Sequence, residues 1–262
     1  MSAVFARGMP NFATVPARPT YDAPVAVYHA MPAGLHAALT IADQCVDRAE
    51  ALAARLRDTG GAARVTNIDL TQEASVQGVV RNTVQQFGRL DILVNMTYFA
   101  IGKLVGELSA EEFDMSNRVN LTGTFLLARA SANAMTNGGS IILFSSMYGQ
   151  VSPDPGIYHA PMNPNPIEYG VAKAGIIQMT KYLAVAWASR AIRVNAVAPG
   201  PFPNPGVQQD SPDFIQRLAR KVPLGRIGRN HEIAGPVVLL AADESSYITG
   251  ETIGVNGGWT AW

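Results

Sequence analysis

The sequence has little cysteine, no excess of charge and no long apolar run, and each absence excludes a class of protein. Cys45 is the only cysteine among 262 residues, so no disulfide can form within the chain. Twenty Lys and Arg balance twenty Asp and Glu. This balance argues against a surface for nucleic acid or an anionic membrane, since both require clustered positive charge. A run of about 18 apolar residues is also lacking, so we expect no membrane-spanning helix.

Glycine is scarce at the start of the chain, where only Gly8 and Gly34 precede residue 60. The first 38 residues are rich in proline and methionine and lack the apolar core of a secretory signal, so we expect a cytoplasmic protein. We interpret residues 1–24 as an irregular segment and residues 25–262 as one domain. The four histidines show no metal-ligand spacing, so no metal site is expected.

From residue 39 onward, short apolar runs alternate with longer amphipathic stretches. The runs predict strands over 39–42, 63–68, 90–94, 139–145 and 192–198, and the stretches predict helices over 47–57, 71–87, 109–135 and 167–189. This alternation favours an α/β protein with a Rossmann-like, doubly wound parallel sheet. Ligands bind such sheets beyond the carboxyl ends of the strands. The residues at those ends are Asp43, Asp69, Asn95, Ser145, Ser146, Pro199 and Gly200.

The segment Tyr169-Gly-Val-Ala-Lys173 carries the strongest chemical signal. Positions i and i+4 share one face of a helix, so the phenol and the ammonium can point into one pocket. A free tyrosine has a pKa of about 10, and lowering it by about 3 units takes about 4 kcal/mol, part of which a nearby ammonium supplies. A solvated helix face is the alternative interpretation of this spacing alone.

Several further motifs occur in a fixed order around this pair. They are Asp91-Ile-Leu-Val-Asn95, Val119-Asn-Leu121, Ser145-Ser-x-x-Gly149, Arg193-Val-Asn-Ala-Val-Ala-Pro-Gly200, Pro223-Leu-Gly-Arg226 and Ile248-Thr-Gly-Glu-Thr-Ile-Gly-Val-Asn-Gly-Gly258. Together with Tyr-x-x-x-Lys, they make residues 39–258 resemble the short-chain dehydrogenase/reductase family. The resemblance implies an oxidoreductase that transfers hydride between NAD(H) and a carbonyl or secondary alcohol substrate. It also implies a homodimer or homotetramer.

The resemblance assigns roles to individual residues. Tyr169 resembles the general acid/base, Ser146 the donor to the substrate oxygen, and Asn120 the residue that holds a water in the proton relay. Lys173 resembles the residue that binds the nicotinamide ribose and lowers the tyrosine pKa. The remaining cofactor-binding positions are Asp43, Asp69, Asn95, Pro199, Gly200 and Asn204. A buried amide bonded to nearby backbone is the alternative for Asn120, and Asn195 is expected to stabilise strand ends.

The first βα unit departs from the family pattern, because the chain lacks the glycine-rich loop that binds pyrophosphate at a helix N-terminus. A first strand over 24–28 would leave too few residues before Asp43 for a turn, a helix and a strand. We therefore expect this unit to be incomplete or atypical and dinucleotide binding to be impaired. One explanation is a genuine divergence, and another is a reading-frame error over the first 38 residues.

Two further departures lie near the expected substrate position. Tyr98 places a bulky ring where the family commonly has a small residue. Ser146 and Tyr169 are 23 positions apart, further than is usual, because of a proline-rich insertion over residues 152–166. A similar insertion in relatives that resemble enzymes of nonulosonic sugar pathways points to a sugar-like substrate, and a rigid surface loop is the alternative.

Two other functions fit the missing loop. The first is a cofactor-free lyase resembling the halohydrin dehalogenases, which carry Arg where Lys173 stands here. The second is a non-catalytic protein that has lost dinucleotide binding. The apolar ending Trp259-Thr-Ala-Trp262 is expected to bury against a sister subunit.

Overall fold

The computed structural model describes residues 2–7, 38–58 and 60–261, with side chains from residue 38 onward. In this part of the chain, seven parallel strands form one sheet in the order β3-β2-β1-β4-β5-β6-β7. The strands are β1 (Ser2–Arg7), β2 (Ala38–Asp43), β3 (Ala62–Thr66), β4 (Ile92–Asn95), β5 (Gly139–Phe144), β6 (Ile192–Pro199) and β7 (Thr252–Val255). The predicted fold, a doubly wound α/β domain, is confirmed.

Helices follow most of the strands. They are α1 (Val46–Asp58), α2 (Glu73–Phe87), α3 (Ala110–Asn117), α4 (Thr124–Ala134), α5 (Ile167–Trp187), α6 (Pro205–Asp210), α7 (Pro212–Lys221) and α8 (Ala234–Ala241). A capping box between Ser109 and Glu112 begins α3, as the sequence pattern predicts. A π-helical stretch over Arg118–Gly123 joins α3 to α4, so the long helix expected over 109–135 is continuous in extent but locally widened.

The alternation of side chains along the strands builds two apolar layers. On β5, Ile141 and Leu143 pack with residues of α2, α4 and α5 on one face of the sheet. Ile142 and Phe144 pack with residues of α1 and α8 on the other face. Both faces are therefore covered, which explains why the strands are apolar nearly throughout.

The first strand differs from the sequence-based expectation. Ser2–Arg7 pairs in parallel with β2 and β4, so part of the segment that we expected to be irregular is a strand. The strand expected over 24–28 lies outside the described residues. Residues 8–37 connect β1 to β2, and this connection is longer than the dozen residues that a parallel crossover requires. The number of residues therefore leaves room for a crossover, and the expectation of an incomplete or atypical first unit stays a prediction.

A third apolar cluster is built from the segments that follow β5, β6 and β7. It joins Tyr148 and Ile157 to Phe214 and Leu218 of α7 and to Trp259. Trp259 is buried within its own chain, and burial of the apolar ending against a sister subunit stays a prediction. Within the described residues, no helix is both long enough and apolar enough to cross a membrane.

Candidate active site

The loop after β5 packs directly against α5. The Ser145 hydroxyl donates to the Lys173 carbonyl oxygen at 2.7 Å. A Cβ on Gly149 would lie 2.7 Å from the same carbonyl oxygen, so a side chain at this position would push the loop away from the helix. This close approach places the Ser146 hydroxyl next to the Tyr169 hydroxyl, close enough to lower the pKa of that phenol. The structure thus places together three residues that the sequence marks as catalytic candidates: Ser146, Tyr169 and Lys173.

The Lys173 side chain is buried next to Tyr169, with 3% of its surface exposed. Its Nζ lies 5.6 Å from the centroid of the Tyr169 ring, as the i, i+4 spacing predicts. It donates to the carbonyl oxygens of Phe144 at 2.7 Å and Thr97 at 3.3 Å. Because burial disfavours the ammonium form, it lowers the Lys173 pKa to about 7.

The lowered Lys173 pKa predicts that stability rises with pH above neutrality. Between pH 7 and the pKa of an exposed lysine, about 10.4, the unfolded chain binds a proton that the folded chain lacks. The free energy of unfolding should therefore increase by about 2 kcal/mol from pH 7 to pH 9 through this residue. Lys173→Met should remove this increment, and Lys181→Met, at an exposed position on the same helix, should retain it. Urea unfolding at each pH measures the difference, and equal slopes for all three proteins would contradict the prediction.

The Tyr169 phenol is protonated near neutral pH. Burial raises its pKa to about 12, although the hydrogen bond from Ser146 lowers it. The lowered pKa that the resemblance implies for Tyr169 is therefore not found. The physical reason is that Lys173 is itself shifted towards its neutral form by burial and has its Nζ bonded to two carbonyl oxygens.

The Asn120 side chain is bonded to the protein on both sides of its amide. Its Oδ1 accepts from the Phe99 backbone N–H at 2.8 Å, and its Nδ2 donates to the Phe99 carbonyl at 2.6 Å and to Ser116 at 3.1 Å. It lies in the π-helical stretch between α3 and α4, a type of irregularity frequent at functional sites. These contacts match the alternative of a buried amide bonded to backbone, and the water-holding role stays a prediction.

The two aspartates among the expected cofactor-binding residues accept hydrogen bonds from their own loops. Asp43 accepts from the Cys45 backbone N–H at 2.8 Å and forms an ion pair with Arg48 at 2.9 Å. Asp69 accepts from both the backbone and the hydroxyl of Thr71, at 2.8 and 2.7 Å. Both carboxylates shape the turn after a strand, and their contacts with a cofactor stay predictions.

Asn95 closes β4 and links it to α4. Its Nδ2 donates to the Thr124 hydroxyl at 2.9 Å, and its Oδ1 accepts from the backbone and hydroxyl of Thr97. These bonds fix the start of the loop that carries Thr97, whose carbonyl accepts from Lys173. Asn95 therefore helps to position the Thr97 carbonyl oxygen to which Lys173 donates.

The residues after β6 pack tightly against the residues that follow β7. Pro199 ends the strand, and a Cβ on Gly200 would lie 2.5 Å from the Cα of Asn256. Asn204 caps α6, because its side chain accepts from the Val207 backbone N–H at 2.9 Å. Asn195 donates to the Ile248 carbonyl and accepts from the Glu251 N–H, which confirms its expected role in holding strand ends.

Glu168, next to Tyr169 in sequence, was not expected to matter. Its carboxylate is fully buried, and its Oε1 accepts from the backbone N–H groups of Ile101 and Gly102 at 2.9 and 3.2 Å. Its Oε2 is buried and has no hydrogen-bond partner among the residues that the structure describes. The residue ties the loop after β4 to the first turn of α5, and an acidic residue in a first helical turn is too common to be a signal in the sequence.

The insertion and Tyr98 border the Ser146–Tyr169 pair. The Tyr98 ring meets the Tyr169 ring edge to face, with centroids 6.1 Å apart. The insertion packs on α7 through an ion pair between Asp154 and Lys221 at 2.6 Å and a hydrogen bond from Arg217 to the Ile157 carbonyl at 2.8 Å. It is therefore anchored at two points and contributes buried side chains to the third apolar cluster.

Comparison with known proteins finds similarity over most of the chain. A family model described as enoyl-(acyl carrier protein) reductase matches residues 30–260. The chain is 37% identical over 193 residues to a 3-oxoacyl-(acyl-carrier-protein) reductase of Thermotoga maritima, covering 73% of this chain and 74% of the relative. It is 31% identical over 240 residues to glucose 1-dehydrogenase 2 of Bacillus subtilis, covering 90% and 84%.

A solved structure shares the fold over nearly the whole length. A short-chain dehydrogenase/reductase from Serratia marcescens superposes with a TM-score of 0.82 at 29% identity, and the match covers 99% of this chain and 97% of the other.

Proposed function

Since the chain belongs to the short-chain dehydrogenase/reductase family, we propose that it transfers hydride between NAD(H) and a carbonyl or secondary alcohol, possessing the family's Ser–Tyr–Lys chemistry at Ser146, Tyr169 and Lys173. It is an oxidoreductase of this family. The observation that carries the proposal is the juxtaposition of the three side chains at the carboxyl end of β5.

The residues around Lys173 fit the nicotinamide end of a dinucleotide. Lys173 is a buried donor held 2.7 and 3.3 Å from two backbone carbonyl oxygens, and such a group can bond the hydroxyls of a ribose. The bound dinucleotide supplies or accepts the hydride. Residues 8–37, where the family binds the pyrophosphate, lie outside the described residues, and our proposal of weak dinucleotide binding rests on their shortage of glycine.

The protonated phenol suits the reductive direction. Burial raises the Tyr169 pKa to about 12, so near neutral pH the hydroxyl carries the proton that a reduced carbonyl oxygen must receive. Ser146 donates a second hydrogen bond to the same oxygen in this proposal, which stabilises the developing negative charge. In this proposal, Lys173 positions the ribose. The protonated form of Lys173 also favours loss of the Tyr169 phenolic proton.

The proposal is tested by following the hydride itself. Purified protein is incubated with a ketone and NADH that carries deuterium at C4 of the nicotinamide, and mass spectrometry locates the label in the product. Deuterium on the carbinol carbon supports the proposal. Release of another product from the substrate without label, as a lyase would give, would overturn it.

Asp43 supports NAD as the preferred dinucleotide. A carboxylate at the end of the second strand can accept from the hydroxyls of the adenosine ribose and repels a 2′-phosphate. We expect NAD to bind at least about tenfold more tightly than NADP, equivalent to about 1.4 kcal/mol. Asp43→Ala should reduce this preference, and Asp47→Ala, at a nearby exposed position of α1, should leave it unchanged.

Calorimetric titration of both dinucleotides into the three proteins measures the preference. Equal binding of NADP by the natural protein, or an unchanged preference in Asp43→Ala, would contradict the assignment. In the natural protein, Arg48 forms an ion pair with Asp43. Asp43→Ala removes the negative charge of this pair and retains the positive charge, so NADP binding should also strengthen.

We further propose that the protein acts in the cytoplasm on a small-molecule, sugar-like substrate, without nucleic acid or membrane partners. A homodimer or homotetramer is supported by apolar side chains that α5 leaves exposed, such as Val171 and Val185.

A further inference from the structure

Two tyrosines beside the Ser146–Tyr169 pair bond to each other. Tyr148 follows Ser146 by two positions, and its backbone N–H donates to the Ser146 hydroxyl oxygen at 3.2 Å. Tyr158 comes from the insertion, and its hydroxyl lies 2.7 Å from that of Tyr148. The two hydroxyls therefore link the insertion to the loop that carries the catalytic serine.

The hydroxyl pair has one more proton than it uses. Each phenol has a single proton, and one of the two lies between the oxygens. The Tyr158 oxygen also accepts from the Asn165 backbone N–H. Within the described residues, no acceptor is found for the second phenolic proton.

The surroundings of the pair are otherwise apolar. Tyr148 is 8% exposed and belongs to the third apolar cluster, and Tyr158, Met162 and Tyr169 pack against that cluster. The Tyr158 ring also packs on Phe214 of α7, with centroids 5.5 Å apart. Burial raises the pKa of both Tyr148 and Tyr158, so both hydroxyls remain protonated near neutral pH. Apolar surroundings with a few placed polar groups are typical of sites for small organic ligands.

We propose that the Tyr148–Tyr158 pair binds a second oxygen of the substrate, a hydroxyl on a carbon near the reacting carbonyl, and that Tyr158 is the residue that determines this specificity. A hydroxyl oxygen accepts the free phenolic proton, and the hydroxyl can donate its own proton to a phenolic oxygen of the pair. A carboxylate would lose its hydration in these apolar surroundings, and an alkyl group would leave the phenolic proton unpaired. The substrate class is therefore a hydroxyketone or polyol, and this inference rests on the proposed oxidoreductase function.

Binding of simple probes tests the inference without turnover. Ligand-observed NMR gives the dissociation constants of cyclohexane-1,2-diol and cyclohexanol for the natural protein, Tyr158→Phe and Tyr247→Phe. The natural protein should prefer the diol at least fivefold, and Tyr158→Phe should lose the preference because the ring remains and only the hydroxyl is removed. Tyr247→Phe, at a fully exposed position, should retain it. Equal binding of the two probes by the natural protein, or an intact preference in Tyr158→Phe, would overturn the inference.

Turnover separates this inference from the proposed function. With NADH, Tyr158→Phe should lower kcat/KM for 2-hydroxycyclohexanone at least fivefold more than for cyclohexanone. Equal loss for both ketones would mean that Tyr158 has no specificity role and would overturn the inference. If the natural protein reduces neither ketone but prefers the diol in the binding experiment, the oxidoreductase proposal fails for these substrates and hydroxyl recognition stands.

Discussion

Tyr169→Phe is expected to lower kcat for carbonyl reduction by about 10²- to 10⁴-fold, the usual contribution of a general acid. The variant removes the phenolic proton next to Ser146 and retains the ring that packs against Tyr98. Binding of NAD should change little, because the hydroxyl is needed for proton transfer more than for affinity. Steady-state oxidation of NADH in the presence of a ketone measures the loss.

A second tyrosine on α5 provides the control for this variant. Tyr182 is 72% exposed, and Tyr182→Phe should retain the natural rate. Thermal unfolding of both variants shows whether the fold is preserved. Turnover by a folded Tyr169→Phe protein at the natural rate would mean that this helix face serves packing alone.

Lys173→Met should lower kcat/KM by a similar factor, for two physical reasons. It removes a buried donor near the expected ribose position, and it removes the charge that favours loss of the phenolic proton. The double variant with Tyr169→Phe should be little slower than either single variant, because residues that serve one step have non-additive effects.

The matched control for Lys173 is Lys181→Met, since Lys181 lies two turns further along α5 and is exposed. Its kcat/KM should match that of the natural protein. Multiplicative losses in the Tyr169 and Lys173 double variant would instead show that the two residues act in separate steps.

The parts of the fold that depend on local pattern could be predicted from the sequence. The apolar run 192–198 predicts a strand that the structure places at Ile192–Pro199, and Ser109 with Glu112 predicts the start of α3. β1 could not be predicted in this way. Ser2–Arg7 is a short strand between β2 and β4, and its partners are far along the chain, so its stability depends on pairing that a local pattern does not report.

The candidate site divides in the same way. Tyr169 and Lys173 are one helical turn apart, so their proximity follows from helix geometry alone. The Phe99 N–H donates to Asn120 and the Gly102 N–H donates to Glu168, so these hydrogen bonds join distant segments, and nothing in either segment specifies the partner. The pKa of a phenol depends on burial and on neighbouring charge together, which explains why a lowered value was expected for Tyr169 and a raised one is found.

Calorimetric titration of NAD and NADP into the purified chain tests the central claim most directly. The account predicts weak but saturable NAD binding, with a dissociation constant of about 1 mM or higher, equivalent to about −4 kcal/mol or less favourable. Binding should weaken in Lys173→Met and be tighter for NAD than for NADP. Absence of saturable binding with either dinucleotide at concentrations well above this value would contradict the account and would favour a cofactor-free lyase or a non-catalytic protein.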